Sequence, residues 1–137
     1  MGAYSNEYPW PPHYGHFKFF EERMEAHSRV KSVKELQSGL YELTLLDQRT
    51  LRVFICECYS YGIAEYYETV SKLGKVDAVI INSNWCGYTD EAKFHCRDLK
   101  IGLFDIRDFM AALNKPKLWL YLNSFQDERY KKAGLIK

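Results

Sequence analysis

Residues 76–113 constrain the fold of this chain more than any other stretch, because short apolar runs there alternate with helical patterns. The runs 79–81 and 101–104 are too short for most helices and are typical of strands covered on both faces. Thr89 and Asp105 precede helical patterns and are predicted to cap them, since their side-chain oxygens accept hydrogen bonds from free helical amides. The stretch therefore predicts two strand–helix units in succession.

The preceding residues predict one helix and three strands. Phe17, Phe20 and Met24 recur three and four residues apart within 16–27, which is the spacing of one apolar helix face. Three strands separated by turn residues are then predicted, at 29–36, 40–46 and 50–58. Residues 51–55 of the third strand are more continuously apolar than the other two strands, and we expect this strand to lie centrally in the sheet.

The remaining segments complete a predicted α/β fold. A helix is predicted at 62–73 with Gly74 as its stop, and a short strand at 118–122 follows the last helix. The order gives a mixed central sheet flanked by helices, with an αβββαβ core followed by α-β-α and a short C-terminal strand. We expect one domain over 16–123, an aromatic and proline-rich arm over 1–15, and a polar, basic, mobile tail over 124–137.

Charge and hydropathy narrow the possible partners. Lys and Arg number 19 against 18 Asp and Glu, whereas nucleic-acid-binding domains are usually plainly basic, so at most a local basic patch is expected. No run approaches the roughly 18 apolar residues of a membrane helix, and the start lacks the pattern of a secretory signal. We therefore expect a cytoplasmic protein with no membrane partner.

The cysteines and the arm each leave two interpretations open. In a reducing cytoplasm the four cysteines are expected to be free, mostly buried thiols, with a zinc site as the alternative. The arm holds Tyr8 and Trp10 among prolines, which disfavour a helix. It either packs over its own domain or uses these aromatic anchors to bind a protein partner or a second copy in a homodimer.

Four segments carry a resemblance to a known family. They are RVFICECY at 52–59, DAVII at 77–81, YTDEA at 88–92 and IGLFD at 101–105. In this order, the segments resemble the PD-(D/E)XK, or restriction-endonuclease-like, superfamily and its Mrr-like branch, over roughly residues 16–114. The resemblance implies a DNA-cutting site in which acids on the second and third strands hold Mg²⁺ and a lysine two residues further on helps to activate water.

The resemblance assigns catalysis and metal binding to Glu57 and Glu42. Glu57 is the candidate acid of the third strand, and Glu42 lies in the second strand, from which we expect it to reach the same site. Tyr59 stands where the family has its lysine. A register shifted by one residue places Cys56 and Cys58 at the two catalytic positions instead, and it supplies no lysine either.

The loop 82–88 follows a predicted strand, at the kind of edge where α/β sheets bind ligands. Trp85 and Tyr88 in this loop are expected to stack on a nucleic-acid base or to cap the core. The function expected first is a catalytically degenerate nuclease-like domain that binds nucleic acid or protein within a restriction or defence system. The alternative is an active deoxyribonuclease with a rearranged site on Glu42 and Glu57, for which Mg²⁺ is the cofactor.

Overall fold

The computed structural model describes residues 7–12 and 15–137, so the parts of the predicted arm at 1–6, 13 and 14 lie outside the described residues. The helices are α1 (Lys18–Ala26), α2 (Ile63–Leu73), α3 (Asp90–Asp98), α4 (Ile106–Ala112) and α5 (Ser124–Lys132). The strands are β1 (Val30–Gln37), β2 (Leu40–Leu45), β3 (Thr50–Cys56), β4 (Ser60–Tyr61), β5 (Ala78–Ile81), β6 (Gly87–Tyr88) and β7 (Gly102–Phe104).

A five-stranded mixed sheet organises the fold, with the strand order β1-β2-β3-β5-β7. The strands β1, β2 and β3 pair antiparallel through short turns, and β3, β5 and β7 pair in parallel. Parallel pairing requires a crossover connection between neighbours, and α2 and α3 provide it. The mixed sheet flanked by helices is the predicted fold class, and β3 lies at its centre as predicted.

Both faces of the sheet are covered, because residues of β3 alternate between two apolar clusters. Val53 and Ile55 pack with α1 and α4 on one face. Phe54 and Cys56 pack on the other face with residues of α2 and α3. This double coverage explains why the central strands are apolar almost throughout.

The described part of the N-terminal arm packs against the second of these clusters. Trp10 is buried, and its ring centroid lies 5.8 Å from that of Tyr61. The Tyr8 ring stacks on Phe54 at 5.9 Å. The backbone carbonyl of Trp10 accepts a hydrogen bond from the amide of Glu57 at 2.9 Å. Residues 7–12 therefore form part of the domain that they cover.

The structure corrects the prediction for residues 118–122, which do not form a strand. Residues Leu118–Leu120 form a 3₁₀ helix, in which the amides of Leu120 and Tyr121 bond to carbonyls three residues earlier. These amides are consequently engaged locally and do not extend the sheet beyond β7. Leu118 is buried and lies against Gly102. A Cβ atom added at Gly102 would lie 2.9 Å from the Cδ1 atom of Leu118.

Residues 124–132 form helix α5 where the sequence suggested a mobile polar tail. The Asn123 side chain accepts a hydrogen bond from the Gln126 amide at 2.8 Å, and the Gln126 side chain accepts one from the Asn123 amide at 3.3 Å. This reciprocal pair is a capping box. Tyr130 is buried at 1% exposure, so α5 is anchored to the domain.

None of the helices in the described ranges combines the length and the apolar character that crossing a membrane requires.

Candidate functional site

A groove of about 980 Å³ opens at the carboxyl edge of the parallel part of the sheet. Asn82 follows β5 and Asp105 follows β7, and both line the groove. Because β5 and β7 are parallel, the chain leaves both strands at the same edge, where α/β sheets commonly bind ligands. Helices α1, α3, α4 and α5 contribute the other walls.

The structure buries Glu57 directly after β3, at 2% exposure. Its carboxylate oxygen Oε2 accepts a hydrogen bond from the side-chain amide of Asn82 at 2.6 Å. Asn82 lines the groove and Glu57 does not. Arg52, on strand β3, donates to the backbone carbonyls of Leu73 and Lys75.

Glu42 lies far from Glu57, so the sequence-predicted pair is not brought together. The register of β2 and β3 places Glu42 opposite Arg52, five residues before Glu57. Five residues of extended strand span about 16 Å, which is too far for two carboxylates to share one ion. The pair does not fit the magnesium site that the resemblance implies.

Two further features that the resemblance implies, a lysine and a metal-binding group of side chains, are not found among the described residues at this edge of β3. Tyr59, at the family's lysine position, has an exposed side chain. In the described part of the chain, no three His, Cys, Asp or Glu side chains are grouped to hold a metal ion.

The four cysteines are free thiols, as predicted. Cys56, Cys58 and Cys96 are buried and Cys86 is half-buried. Burial raises the pKa of the Cys58 and Cys96 thiols to about 12, and that of Cys86 to about 11. At neutral pH these groups are therefore protonated, and they behave as small apolar side chains rather than as nucleophiles.

Trp85 and Tyr88 both line the groove, but the structure gives them different roles. Trp85 is 39% exposed. The Tyr88 hydroxyl accepts a hydrogen bond from the Gln126 side chain at 2.7 Å, and its ring centroid lies 5.7 Å from the Lys93 ammonium nitrogen. Burial raises the Tyr88 pKa well above its usual value. The Trp85 ring is thus partly exposed in the groove, whereas Tyr88 is engaged by Gln126 and lies next to Lys93.

Two further aromatic rings and three arginines surround the groove and were not identified from the sequence. Phe19 on α1 is 50% exposed and Phe125 on α5 is 72% exposed. The guanidinium carbon of Arg23 lies 4.6 Å from the Phe19 ring centroid, and that of Arg129 lies 5.9 Å from the Phe125 ring centroid. Arg107 on α4 is the third arginine of the lining. These residues come from distant parts of the chain, so no local motif announces them.

The carboxylates of the groove are each held by a neighbouring group. Asp90 accepts two hydrogen bonds from Arg129, both at 2.9 Å, and one from the Tyr130 hydroxyl at 2.7 Å. The Arg129 contact lowers the pKa of Asp90. Asp105 caps α4 by accepting from the amide of Asp108 at 2.7 Å. Negative charge in the groove is therefore partly offset by these donors.

Asp108 lies deeper and is nearly buried. Its carboxylate accepts a hydrogen bond from the Asn123 side chain at 2.9 Å. Burial raises the Asp108 pKa, and the bond from Asn123 opposes that change. The N-cap of α5 is thus bonded directly to the groove wall.

Lys93 is the least expected residue near the groove, because its side chain is fully buried at 0% exposure. Its Nζ atom donates to the backbone carbonyl of Leu103 at 2.6 Å and lies 4.1 Å from the Phe104 ring centroid. Burial lowers the Lys93 pKa to about 7, and the charge of Asp108 opposes that shift. From the sequence, this position reads as one more lysine on a helix surface.

One pattern in the sequence does indicate helix α5, which forms part of the groove wall and was predicted as a tail. Asn123 followed three residues later by Gln126 is a capping-box pattern, and it marks the start of α5 within a segment that is otherwise polar.

Comparison with known proteins adds no assignment, since no protein family, curated protein or solved structure was found to match the chain.

Proposed function

We propose that the protein binds single-stranded nucleic acid in the carboxyl-edge groove and does not cut it. The observation that carries this proposal is the combination of three exposed aromatic rings, Phe19, Trp85 and Phe125, with three arginines around one groove. Proteins that bind single strands combine aromatic platforms, on which bases stack, with positive groups that follow the phosphates.

The lining of the groove carries three arginines against three aspartates, so its formal charge is balanced, as that of the chain as a whole nearly is at +1. Asp90 is paired with Arg129, and Asp105 faces the amide that it caps. Arg23 and Arg107 are exposed at the groove. Because few cations are involved, we expect a shallow dependence of affinity on salt compared with strongly basic proteins.

The amide side chains of the groove suit contacts with base edges. Asn84 is exposed and Asn82 is half-buried at the end of β5. Amide groups both donate and accept hydrogen bonds, so they match the Watson–Crick edges that single strands leave open. A duplex hides those edges and its base faces, which is why the proposal specifies single strands.

The separation of Glu42 from Glu57 supports the part of the proposal that the protein does not cut nucleic acid. The β2–β3 register keeps the two carboxylates five residues apart along the sheet. Tyr59 stands where the nucleases that the sequence resembles have their lysine. A nuclease-like protein that binds without cutting would serve as a recognition subunit in a restriction or defence system.

The test is binding measured by fluorescence anisotropy with labelled oligothymidylate, RNA of the same length and duplex DNA. We expect single strands to bind more tightly than the duplex. Substituting Trp85→Ala or Phe125→Ala should weaken binding by about 5- to 140-fold, the range expected for loss of one stacked base.

Tyr67→Ala provides the matched control, because Tyr67 is an exposed aromatic on α2 outside the groove. Its affinity should stay within about twofold of the wild type. No binding by the wild type, or equal losses in Tyr67→Ala and Trp85→Ala, would overturn the proposal.

Incubation of the protein with the same oligonucleotides and Mg²⁺ or Mn²⁺ tests the proposal that it does not cut nucleic acid. We expect no cleavage. Metal-dependent cleavage that disappears in Glu57→Ala would instead establish the active deoxyribonuclease, with a site different from the Glu42–Glu57 pair.

A further inference from the structure

Lys93 occupies a position that its chemistry does not favour. A lysine ammonium is rarely buried without a carboxylate partner, yet the Lys93 ammonium donates to the Leu103 carbonyl and faces the rings of Phe104 and Tyr88. No ion pair formed by Lys93 is found among the described residues. A carbonyl and two ring faces stabilise an ammonium less than a charged partner does.

The Tyr88 side chain belongs to the lining of the groove and also lies next to Lys93. Tyr88 lines the groove, and the centroid of the same ring lies 5.7 Å from the Lys93 Nζ atom. The Tyr88 hydroxyl is held by Gln126 of α5 at 2.7 Å. Tyr88, which α5 holds through Gln126, is therefore in contact with both the groove and the ammonium.

Helix α5 is attached to the rest of the domain largely by polar side-chain contacts. Asn123 bonds to Asp108, Gln126 to Tyr88, and Arg129 and Tyr130 to Asp90. Tyr130 adds the apolar anchor, with its ring centroid 4.8 Å from that of Phe94. Segments with few buried apolar contacts open at a lower free energy than the core does.

We propose, building on single-strand binding in this groove, that Lys93 is a concealed phosphate-binding residue that becomes accessible when α5 and the Tyr88 ring move aside. A phosphate group is the ligand that suits a buried ammonium best, since it supplies the negative charge that the closed structure withholds. Arg23 and Arg107 attract the strand to the outside of the groove, and Lys93 then binds a phosphate on its inner side.

The first experiment compares wild type with Lys93→Met, which keeps the length of the side chain and removes the charge. Loss of one charged hydrogen bond to a phosphate should weaken binding of oligothymidylate about tenfold. The slope of log affinity against log salt should fall by about 0.7, the value for one phosphate contact on a single strand.

A purely structural lysine would give a different result, because its replacement would leave the salt slope of binding unchanged whatever its effect on stability. The thermal midpoint of Lys93→Met, measured in parallel, shows that the variant is folded. Lys100→Met is the matched control, since Lys100 is exposed outside the groove, and we expect its affinity and slope to match the wild type.

The second experiment leaves Lys93 in place and measures its accessibility by acetylation with acetic anhydride and mass spectrometry. Lys93 should be protected in the wild type, while Lys100 is labelled. Arg129→Ala, which removes two hydrogen bonds to Asp90, should raise labelling of Lys93 about tenfold. Saturating oligothymidylate should then protect Lys93 again but not Lys100.

Lys131→Ala is the control for this helix, because it removes only an exposed pair with Asp127 and should leave Lys93 protected. If the wild type binds and Lys93→Met binds with the same affinity and salt slope, phosphate binding by Lys93 is refuted. The proposal that the groove binds single strands is then unaffected. If Lys93 stays unlabelled in Arg129→Ala, the proposed opening of α5 and the Tyr88 ring is refuted. If the wild type binds no oligonucleotide, the proposed function fails and the phosphate role fails with it, although labelling still reports the opening of α5.

Discussion

Glu57 and Lys93 are both buried ionisable side chains near the carboxyl edge of the sheet, yet they are covered by opposite ends of the described chain. Glu57 accepts a hydrogen bond from Asn82, and its amide bonds to Trp10 of the N-terminal segment. Lys93 lies beneath Tyr88, which α5 holds through Gln126. Trp10 joins the apolar core, whereas α5 is attached mainly by polar contacts. Glu57 is thus covered by a segment that belongs to the apolar core, and Lys93 by a ring that a helix attached mainly by polar contacts holds in place.

The largest effect should come from weakening the N-terminal cover. Trp10→Ala removes a large ring packed among Tyr8, Phe54 and Tyr61. We expect the free energy of unfolding to fall by about 3–5 kcal/mol, the range for a buried aromatic replaced by alanine. Urea denaturation measures it.

Trp85→Ala is the matched control for this substitution, because Trp85 is partly exposed in the groove. Its cost should stay within about 0.5 kcal/mol. A cost below about 1 kcal/mol for Trp10→Ala would show that the N-terminal segment is as loosely attached as α5, and the contrast between the two covers would be lost.

The second effect is a dependence of stability on pH that Lys93 produces. Its pKa is about 7 in the folded protein, against 10.5 for an ordinary lysine. Between these values the unfolded chain binds the proton and the folded protein does not, so stability rises with pH in this window. The contribution is about 1.4 kcal/mol per pH unit. The charged side chains that act on the Lys93 ammonium are Asp105 and Asp108 around α4 and Arg97 on α3.

Comparison with Lys93→Met isolates this contribution from the other titrating groups. The variant should be more stable than the wild type at pH 6, where the wild type buries a charge. The difference should shrink steadily from pH 7 to pH 9 in urea denaturation. A difference that is constant over this range would mean that Lys93 keeps an ordinary pKa and is better solvated than its burial indicates.

The smallest expected loss of stability comes from removing the hydrogen bond that Asn82 donates to Glu57. Asn82→Ala removes a donor at 2.6 Å from the buried carboxylate. Stability should fall by about 1–3 kcal/mol, because a buried acceptor loses a hydrogen bond. Asn84→Ala, at an exposed position of the same loop, should change stability by less than about 0.5 kcal/mol. Equal effects at the two positions would show that Glu57 does not depend on Asn82.

The order and type of most elements followed from the sequence because their causes are local. The short apolar runs at 79–81 and 101–104 became β5 and β7, and Thr89 and Asp105 cap α3 and α4 through bonds to Ala92 and Asp108. Apolar periodicity and capping act over a few residues, so one sequence shows them. The prediction of a strand at 118–122 was wrong, because the hydrogen bonds of a tight turn after Pro116 outweighed the apolar, strand-like composition of these residues.

The site followed from the sequence only in part. Trp85 was placed correctly in a loop at the carboxyl edge of the sheet, since a loop after a parallel strand must leave there. The meeting of Glu42 with Glu57 depended on the register of two strands, and the actual register separates them.

By itself, the sequence determined an α/β chain with a covered central strand, capped helices and free thiols. Only the tertiary structure decided which charged groups are buried and what surrounds them. The walls of the groove come from α1, α3, α4 and α5, and the burial of Lys93 depends on Phe104 and Tyr88 packing around one ammonium. The physical reason is that desolvation and charge pairing depend on distances in space, which neighbours in sequence do not fix.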